Sequence, residues 1–296
     1  MRIKTFTLML MSLFAIASYA QIEVNVAPNG LDSSNPALNE VILSKDTTNS
    51  EALVFILEPN GLYILSNTMR ASNDITIKAG AGEGFKPVIV MGTNDEGGQN
   101  AWDMGFMTGD NMVLEGIQFM CANELHQRGG WANGGIQIKA GMNVTVNNCI
   151  IDHIDAAFIA AWAGGVGDFT FTNNMVRWAG GPYSGNWHGY VLDSKNGPAG
   201  DVLIQNNTFI EGMASVFTMD GSHYINSVMI NHNTFVNIAV WPLTTPYAKE
   251  QLMMNNLFVN VGFGGLSISW WAGGSGDPGE EGRGIIDYDT FPEGED

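Results

Sequence analysis

Two lysines and two aspartates are the residues of this chain best suited to chemistry. Lys139, Asp193, Lys195 and Asp220 each lie in or next to a short apolar run that predicts a β-strand. Because side chains alternate between the two faces of a strand, we expect these four to point away from the core. A positioned lysine can act as a general base, and a carboxylate can act as an acid, a base or a Ca²⁺ ligand.

Two predicted loops beside these strands hold further candidate residues. The loops cover residues 121–135 and 177–189. Loops on a rigid scaffold often carry function, and Trp and Tyr combine an apolar ring with a polar group, which suits stacking on sugars. Some of these rings could instead shield the ends of the scaffold. We assign a catalytic role to His188 beside the two lysines, and a substrate-binding role to Arg128, Trp131, Trp162, Tyr183 and Trp187.

A repeated unit must position all of these residues. Its clearest copy is residues 201–212, and it returns at 143–154, 168–180, 227–239 and 251–262. Each copy has alternating apolar residues, an Asn-Asn or His-Asn pair, one further residue and an apolar residue. Asn tolerates the left-handed backbone region and favours turns, so each pair predicts a bend between two strands. The second residue of the pair is always Asn, and we assign the stricter backbone demand to it. The pairs are Asn147-Asn148, Asn173-Asn174, Asn206-Asn207, His232-Asn233 and Asn255-Asn256, followed by Ile150, Val176, Phe209, Phe235 and Phe258.

The spacing of the copies predicts a solenoid of stacked coils. Phe209 and Phe235 are 26 residues apart, and Phe235 and Phe258 are 23 apart. A repeat of this length, built from short strands, indicates coils whose strands pair in parallel. Gly116-Ile117 fits the same frame in place of an Asn pair. We therefore expect the Phe residues to form one internal column and the second Asn of each pair to form another.

This pattern resembles the right-handed parallel β-helix of the pectate-lyase-like superfamily over roughly residues 75–258, and the fold class predicted is all-β. The nearest overall similarity is to secreted β-helix domains of unknown function from polysaccharide-degrading bacteria. The resemblance implies a polysaccharide groove along the sheet that holds Lys139 and Asp193. Lyases of this fold use a Lys or Arg base, often with Ca²⁺, for which Asp193 and Asp220 are the candidate ligands. Residues 151–153 are similar to a short Ile-Asp-His motif of pectate lyases, but they follow the bend instead of preceding it, so we interpret the match as a coincidence.

The two ends of the chain predict export and a capped solenoid. Residues 1–20 have a basic start, an apolar middle and small residues before position 21, as in a secretory signal peptide, so we expect a periplasmic, extracellular or cell-surface protein. Residues 21–73 would form an N-terminal cap, with a helical turn at 39–43, and the first strands. Residues 74–296 would form the β-helix. The last residues show no capping helix, so either the acidic tail protects the final edge or the sequence stops short of the natural end.

Charge and cysteine content restrict the partners. Thirty Asp and Glu residues against 12 Lys and Arg give a net charge of −18, which disfavours nucleic acids and anionic membranes. We expect a monomer that binds a polysaccharide and does not insert into membranes. Cys121 and Cys149 fall on consecutive coils but about three residues out of register, which exceeds the reach of a disulfide. Two unpaired, buried thiols are predicted.

Three functions stay open. The first is a polysaccharide lyase, or a remote relative that acts on or binds glycans containing uronate. The second is a carbohydrate-binding or adhesion module without catalysis, which needs only an aromatic platform. The third is a glycoside hydrolase with Asp193 and Asp220 as the acid and base, which requires a defined separation of the two carboxyl groups.

Overall fold

Three parallel β-sheets make up the part of this protein that the structure describes. The computed structural model describes residues 21–30, 32–123, 135–154, 156–180, 190–194, 197–212, 217–218, 224–238 and 248–261 of the 296-residue chain. The chain passes repeatedly through sheet A, then sheet B, then sheet C, and every pair of neighbouring strands within these sheets is parallel. The predicted all-β, parallel stacked arrangement is therefore confirmed.

The strands are short, as the alternating apolar pattern predicts. Sheet A contains β1, β2, β5, β8, β11, β14, β17, β20 and β22; sheet B contains β3, β6, β9, β12, β15, β18, β21 and β23; and sheet C contains β4, β7, β10, β13, β16 and β19. In chain order the described elements are β1 (Gln21–Val26), α1 (Leu38–Asp46), β2 (Ala52–Leu57), β3 (Leu62–Leu65), β4 (Met69–Ala71), β5 (Ile75–Ala79), β6 (Val88–Met91), β7 (Gly105–Met107), β8 (Asn111–Glu115), β9 (Gln118–Asn123), β10 (Ile136–Ile138), β11 (Asn143–Asn147), β12 (Ile150–Asp152), β13 (Ala157–Ala160), β14 (Phe169–Thr172), β15 (Met175–Arg177), β16 (Tyr190–Asp193), β17 (Ala199–Gln205), β18 (Thr208–Ile210), β19 (Phe217–Thr218), β20 (Ile225–Asn231), β21 (Thr234–Val236), β22 (Ala248–Met254) and β23 (Leu257–Val259).

Helix α1 lies where the sequence predicts a helical turn, and it is longer than that turn. Glu40, in the first turn, accepts a hydrogen bond from the backbone N–H of Ala37, the residue before the helix. At the other end, the Asp46 carboxylate accepts hydrogen bonds from the backbone N–H groups of Ser72 and Asn73. The helix packs against β2, β3 and β4. Within the described residues, no helix is long and apolar enough to cross a membrane.

A ladder of buried asparagines stabilises the bend between sheets A and B. Asn174, Asn207 and Asn233 are each at most 3% exposed. The Oδ1 atom of Asn207 accepts the backbone N–H of Asn174 at 2.8 Å, and the Oδ1 of Asn233 accepts that of Asn207 at 3.0 Å. Asn256 continues the series at 2.9 Å from the N–H of Asn233. The predicted internal columns of Asn207, Asn233 and Asn256, and of Phe rings stacked 4.8–4.9 Å apart, are confirmed.

In four of the five pairs the strict backbone demand falls on the first residue, so our assignment of it to the second was wrong. The left-handed residues are Asn173, Asn206, His232 and Asn255, with φ between 54° and 59°. The second residue needs Asn for its side-chain amide, which supplies hydrogen bonds inside the core.

The copy at residues 143–154 is also shifted by one position from the predicted alignment. Asn148 has φ 53° and takes the place of Asn173, while Ile151, not Ile150, pairs with Val176. Cys149 therefore occupies the ladder position. Its backbone N–H donates to Asn174 Oδ1 at 2.7 Å, and its Sγ lies 3.6 Å from the Leu114 carbonyl oxygen.

Both cysteines are unpaired and buried, as predicted. Burial raises the pKa of both thiols, that of Cys149 to about 11. The two residues therefore act as small apolar side chains of the core.

Candidate functional site

The outer face of sheet C begins with a row of two exposed side chains and one that is half-buried. Arg70, Phe106 and Gln137 lie on β4, β7 and β10 and are in register with one another. Their neighbours on each strand point inward and are buried. The Arg70 guanidinium carbon lies 5.6 Å from the centre of the Phe106 ring, which is a cation–π arrangement. Strand pairing thus brings together a cation, an aromatic ring and an amide that are far apart in sequence.

Asp103 lies beside this row, and the pKa of its carboxyl group is raised. Gln137 Nε2 donates to Asp103 Oδ2 at 2.8 Å. Burial raises the pKa of Asp103 to about 6, against the opposing effects of the Gln137 hydrogen bond and the positive charge of Arg70. The adjacent Trp102 is 67% exposed. A carboxyl group that keeps its proton to this pH can donate it to a ligand, and an exposed indole beside it can contact that ligand.

Asp103 should make stability depend on pH in a specific window. Its folded pKa of about 6 exceeds the ordinary aspartate value of 3.8, so between these values the folded state holds a proton that the unfolded state has lost. The stability contributed by Asp103 is therefore present below about pH 4 and is lost as pH rises to about 6. We expect Asp103→Asn to remove this decrease. The measurement is Tm as a function of pH from 4 to 7 for both proteins. If Tm changes equally with pH in the two, Asp103 is not the group responsible.

Trp162 and Asp193 are two predicted site residues that the structure brings together. Trp162 Nε1 donates to Asp193 Oδ2 at 2.8 Å. Asp193 pairs in register with Ala160 on β13, which places it on the same row as Gln137. It is only 3% exposed, so it does not point into open solvent as the strand pattern predicted. The indole N–H satisfies one of its oxygens, which lowers the cost of burying a carboxylate.

Lys139 lies apart from that pair. It follows β10, and its Nζ contacts Asp110 Oδ1 at 2.5 Å at the turn between sheets C and A. Both side chains are exposed, so this ion pair contributes little to stability. This contact does not test the predicted role of Lys139 as a base. To act as one, Lys139 would first have to break its ion pair with Asp110.

The remaining predicted site residues lie outside the described part of the chain. They include both other catalytic candidates and the second carboxylate proposed for Ca²⁺. These residues are Arg128, Trp131, Tyr183, Trp187, His188, Lys195 and Asp220.

Sequence reasoning missed the row of Arg70, Phe106 and Gln137, and Asp103 beside it. We expected the first regular coil to begin at Asp74, yet β2, β3 and β4 already pair with later strands. The adjacent Trp102-Asp103 was the available signal, since an aromatic ring next to a carboxylate is typical of a binding surface.

The predicted Ca²⁺ site at Asp193 and Asp220 stays a prediction, because Asp220 lies outside the described residues. Across the described ranges, no group of three or more His, Cys, Asp or Glu side chains could hold a metal ion. Asp193 supplies one carboxylate and already accepts the Trp162 indole, whereas Ca²⁺ takes six to eight oxygen ligands.

Comparison with known proteins gives no family for this chain. The sequence matches no protein-family model and has no significant match among curated proteins. The chemistry of the described side chains is therefore the basis on which a function can be assigned.

Proposed function

We propose that this protein binds a polysaccharide along the outer face of sheet C. The single observation that carries the proposal is the row of Arg70, Phe106 and Gln137, with Asp103 hydrogen-bonded to Gln137 and the exposed Trp102 next to Asp103 in the chain. Carbohydrate sites combine rings that stack on the apolar faces of sugars with a few polar groups that bind hydroxyls. Strands about 4.8 Å apart would present these groups in succession to an extended chain.

Several properties belong to the same proposal. The protein would be a right-handed parallel β-helix of the pectate-lyase-like type, exported and monomeric, from a polysaccharide-degrading bacterium. The parallel three-sheet architecture and the buried asparagine ladder support this relationship. A glycan containing uronate is the first substrate class to test, with Arg70 as the cation that would contact its carboxylate.

Catalysis is the second candidate function, and Asp103 is the observation that favours it. Its pKa of about 6 leaves a fraction of the carboxyl groups protonated at neutral pH. A carboxylic acid in this state can protonate the oxygen that departs when a glycosidic bond breaks. Both β-elimination by a lyase and hydrolysis need that proton, so Asp103 is compatible with either reaction.

The proposal is tested by measuring binding and turnover on one panel of glycans. We expect the wild-type protein to bind at least one uronate-containing glycan. Trp102→Ala should weaken that binding about tenfold, since a stacked ring contributes roughly 1–2 kcal/mol. Phe85→Ala is the matched control, because Phe85 is 85% exposed and lies outside the row.

The same panel separates the candidate reactions. New absorbance from unsaturated ends indicates a lyase, new reducing ends without that absorbance indicate a hydrolase, and binding alone indicates a carbohydrate-binding module. In either enzyme, Asp103→Asn should reduce turnover more than binding. Affinities unchanged by Trp102→Ala on every glycan that binds would rule out sheet C as the binding face.

A further inference from the structure

The turn that follows sheet B imposes the same backbone conformation on five successive coils. The residue after each sheet B strand from β12 onward has a left-handed φ between 48° and 61°. Two of these residues are asparagines, the type best suited to that conformation. His also tolerates it, whereas Glu is less suited and bulky Trp is a clear outlier. The five residues are His153, Trp178, Glu211, Asn237 and Asn260.

The three residues that are not asparagine contact one another in succession along the stack. The His153 and Trp178 rings lie 4.8 Å apart, and Trp178 Nε1 donates to a carboxylate oxygen of Glu211. Trp178 remains 40% exposed, and Glu211 is exposed. Unfavourable backbone conformations concentrate at functional sites, so a strained position that carries an exposed, oriented indole points to a ligand.

Arg177 completes the surface, and a buried carboxylate fixes its direction. Its Nε and Nη2 donate to Asp152 Oδ1 and Oδ2, both at 2.6 Å, and Asp152 is fully buried. The guanidinium carbon lies 5.3 Å from the centre of the Trp178 ring. The N–H groups not engaged by Asp152 are therefore held next to the indole with little freedom to reorient.

We propose that Trp178, Arg177 and Glu211 form a second carbohydrate site, separate from sheet C, that binds a neutral sugar unit. The indole would stack on the sugar ring, the guanidinium would donate to hydroxyl oxygens, and the Glu211 carboxylate would accept from hydroxyl groups. Local charge decides the class of sugar. Asp152 neutralises Arg177, and Glu211 adds a negative charge in a chain of net charge −18, so a uronate would be repelled.

The test uses neutral hexasaccharides of β-linked glucose, xylose or mannose, with hexagalacturonate as the charged probe. Calorimetry should detect binding of at least one neutral hexasaccharide to the wild-type protein. Trp178→Asn should weaken that binding about tenfold or more. Asn suits the left-handed turn and is already present at Asn237 and Asn260, so Tm should not fall. Glu211→Asn, suited to the turn for the same reason, should weaken binding about threefold or more, and it decides the matter if Trp178→Asn unfolds.

Each outcome bears on the proposal. Failure of all three neutral hexasaccharides to bind, or binding unchanged within about twofold in either variant, overturns it. Hexagalacturonate binding that is weakened by Trp178→Asn as strongly as the binding of the neutral sugars would also overturn it. The local charge would then not discriminate between neutral and charged sugars. Trp102→Ala is measured in parallel. It changes binding only if the outer face of sheet C binds carbohydrate, so failure of the sheet C proposal is distinguished from failure of this one.

Discussion

Asn207→Ala should lower the free energy of unfolding by about 2–5 kcal/mol. The Asn207 side chain accepts the backbone N–H of Asn174 at 2.8 Å and donates to the Phe171 carbonyl at 2.8 Å, and the residue is 1% exposed. Alanine leaves both backbone groups buried without these partners, and each costs about 1–3 kcal/mol. Urea denaturation followed by circular dichroism measures the difference.

The preceding residue provides a matched control. Asn206 has φ 57° and is exposed, and among the described residues its side chain makes only a long hydrogen bond of 3.4 Å to Asn173. Glycine adopts this conformation freely, so Asn206→Gly should cost only a few tenths of a kcal/mol. Equal losses in the two variants would show that the bend needs its backbone conformation and not the internal ladder.

Arg177→Met should destabilise the protein by about 3–5 kcal/mol, because it leaves a buried carboxylate without its cation. Asp152 is 0% exposed and receives two hydrogen bonds from Arg177 and one from Gln118 at 2.7 Å. The double variant Asp152→Asn/Arg177→Met should recover much of the loss, since no charge is then buried. A double-mutant cycle from denaturation curves gives the interaction energy.

The control for this pair is the exposed ion pair of Lys139 and Asp110. Its side chains are 37% and 81% exposed, and exposed pairs contribute about 0–1 kcal/mol. Lys139→Met should therefore change stability by less than about 1 kcal/mol. A loss from Arg177→Met as small as that would mean that Asp152 does not depend on Arg177 in the folded protein.

Repetition is what made the fold predictable. The pairs that precede Phe209, Phe235 and Phe258 combine a local turn preference with strand alternation. Both signals depend on neighbouring residues, and their spacing alone indicates parallel coils. The cap helix was predictable for the same local reason. The isolation of Cys121 from Cys149 also followed from sequence, because it depends only on the alignment of two adjacent coils.

The details of the bend required the tertiary structure. Both residues of a pair are commonly Asn, so the sequence could not show that the first adopts the left-handed conformation while the second hydrogen-bonds inside the core. Cys149 in the ladder position shifts one copy by a residue, and the run of asparagines at 147–148 concealed that shift.

The candidate sites were decided almost entirely by tertiary structure. Gln137 reaches Asp103 across 34 residues, and Arg177 reaches Asp152 across 25. These lateral contacts depend on the length of each coil, which varies because loops of different size separate the strands. Burial, which raises the pKa of Asp103 and covers Asp193, depends on the same packing. The sequence therefore determined that parallel coils stack, and only their lateral register determined which side chains meet.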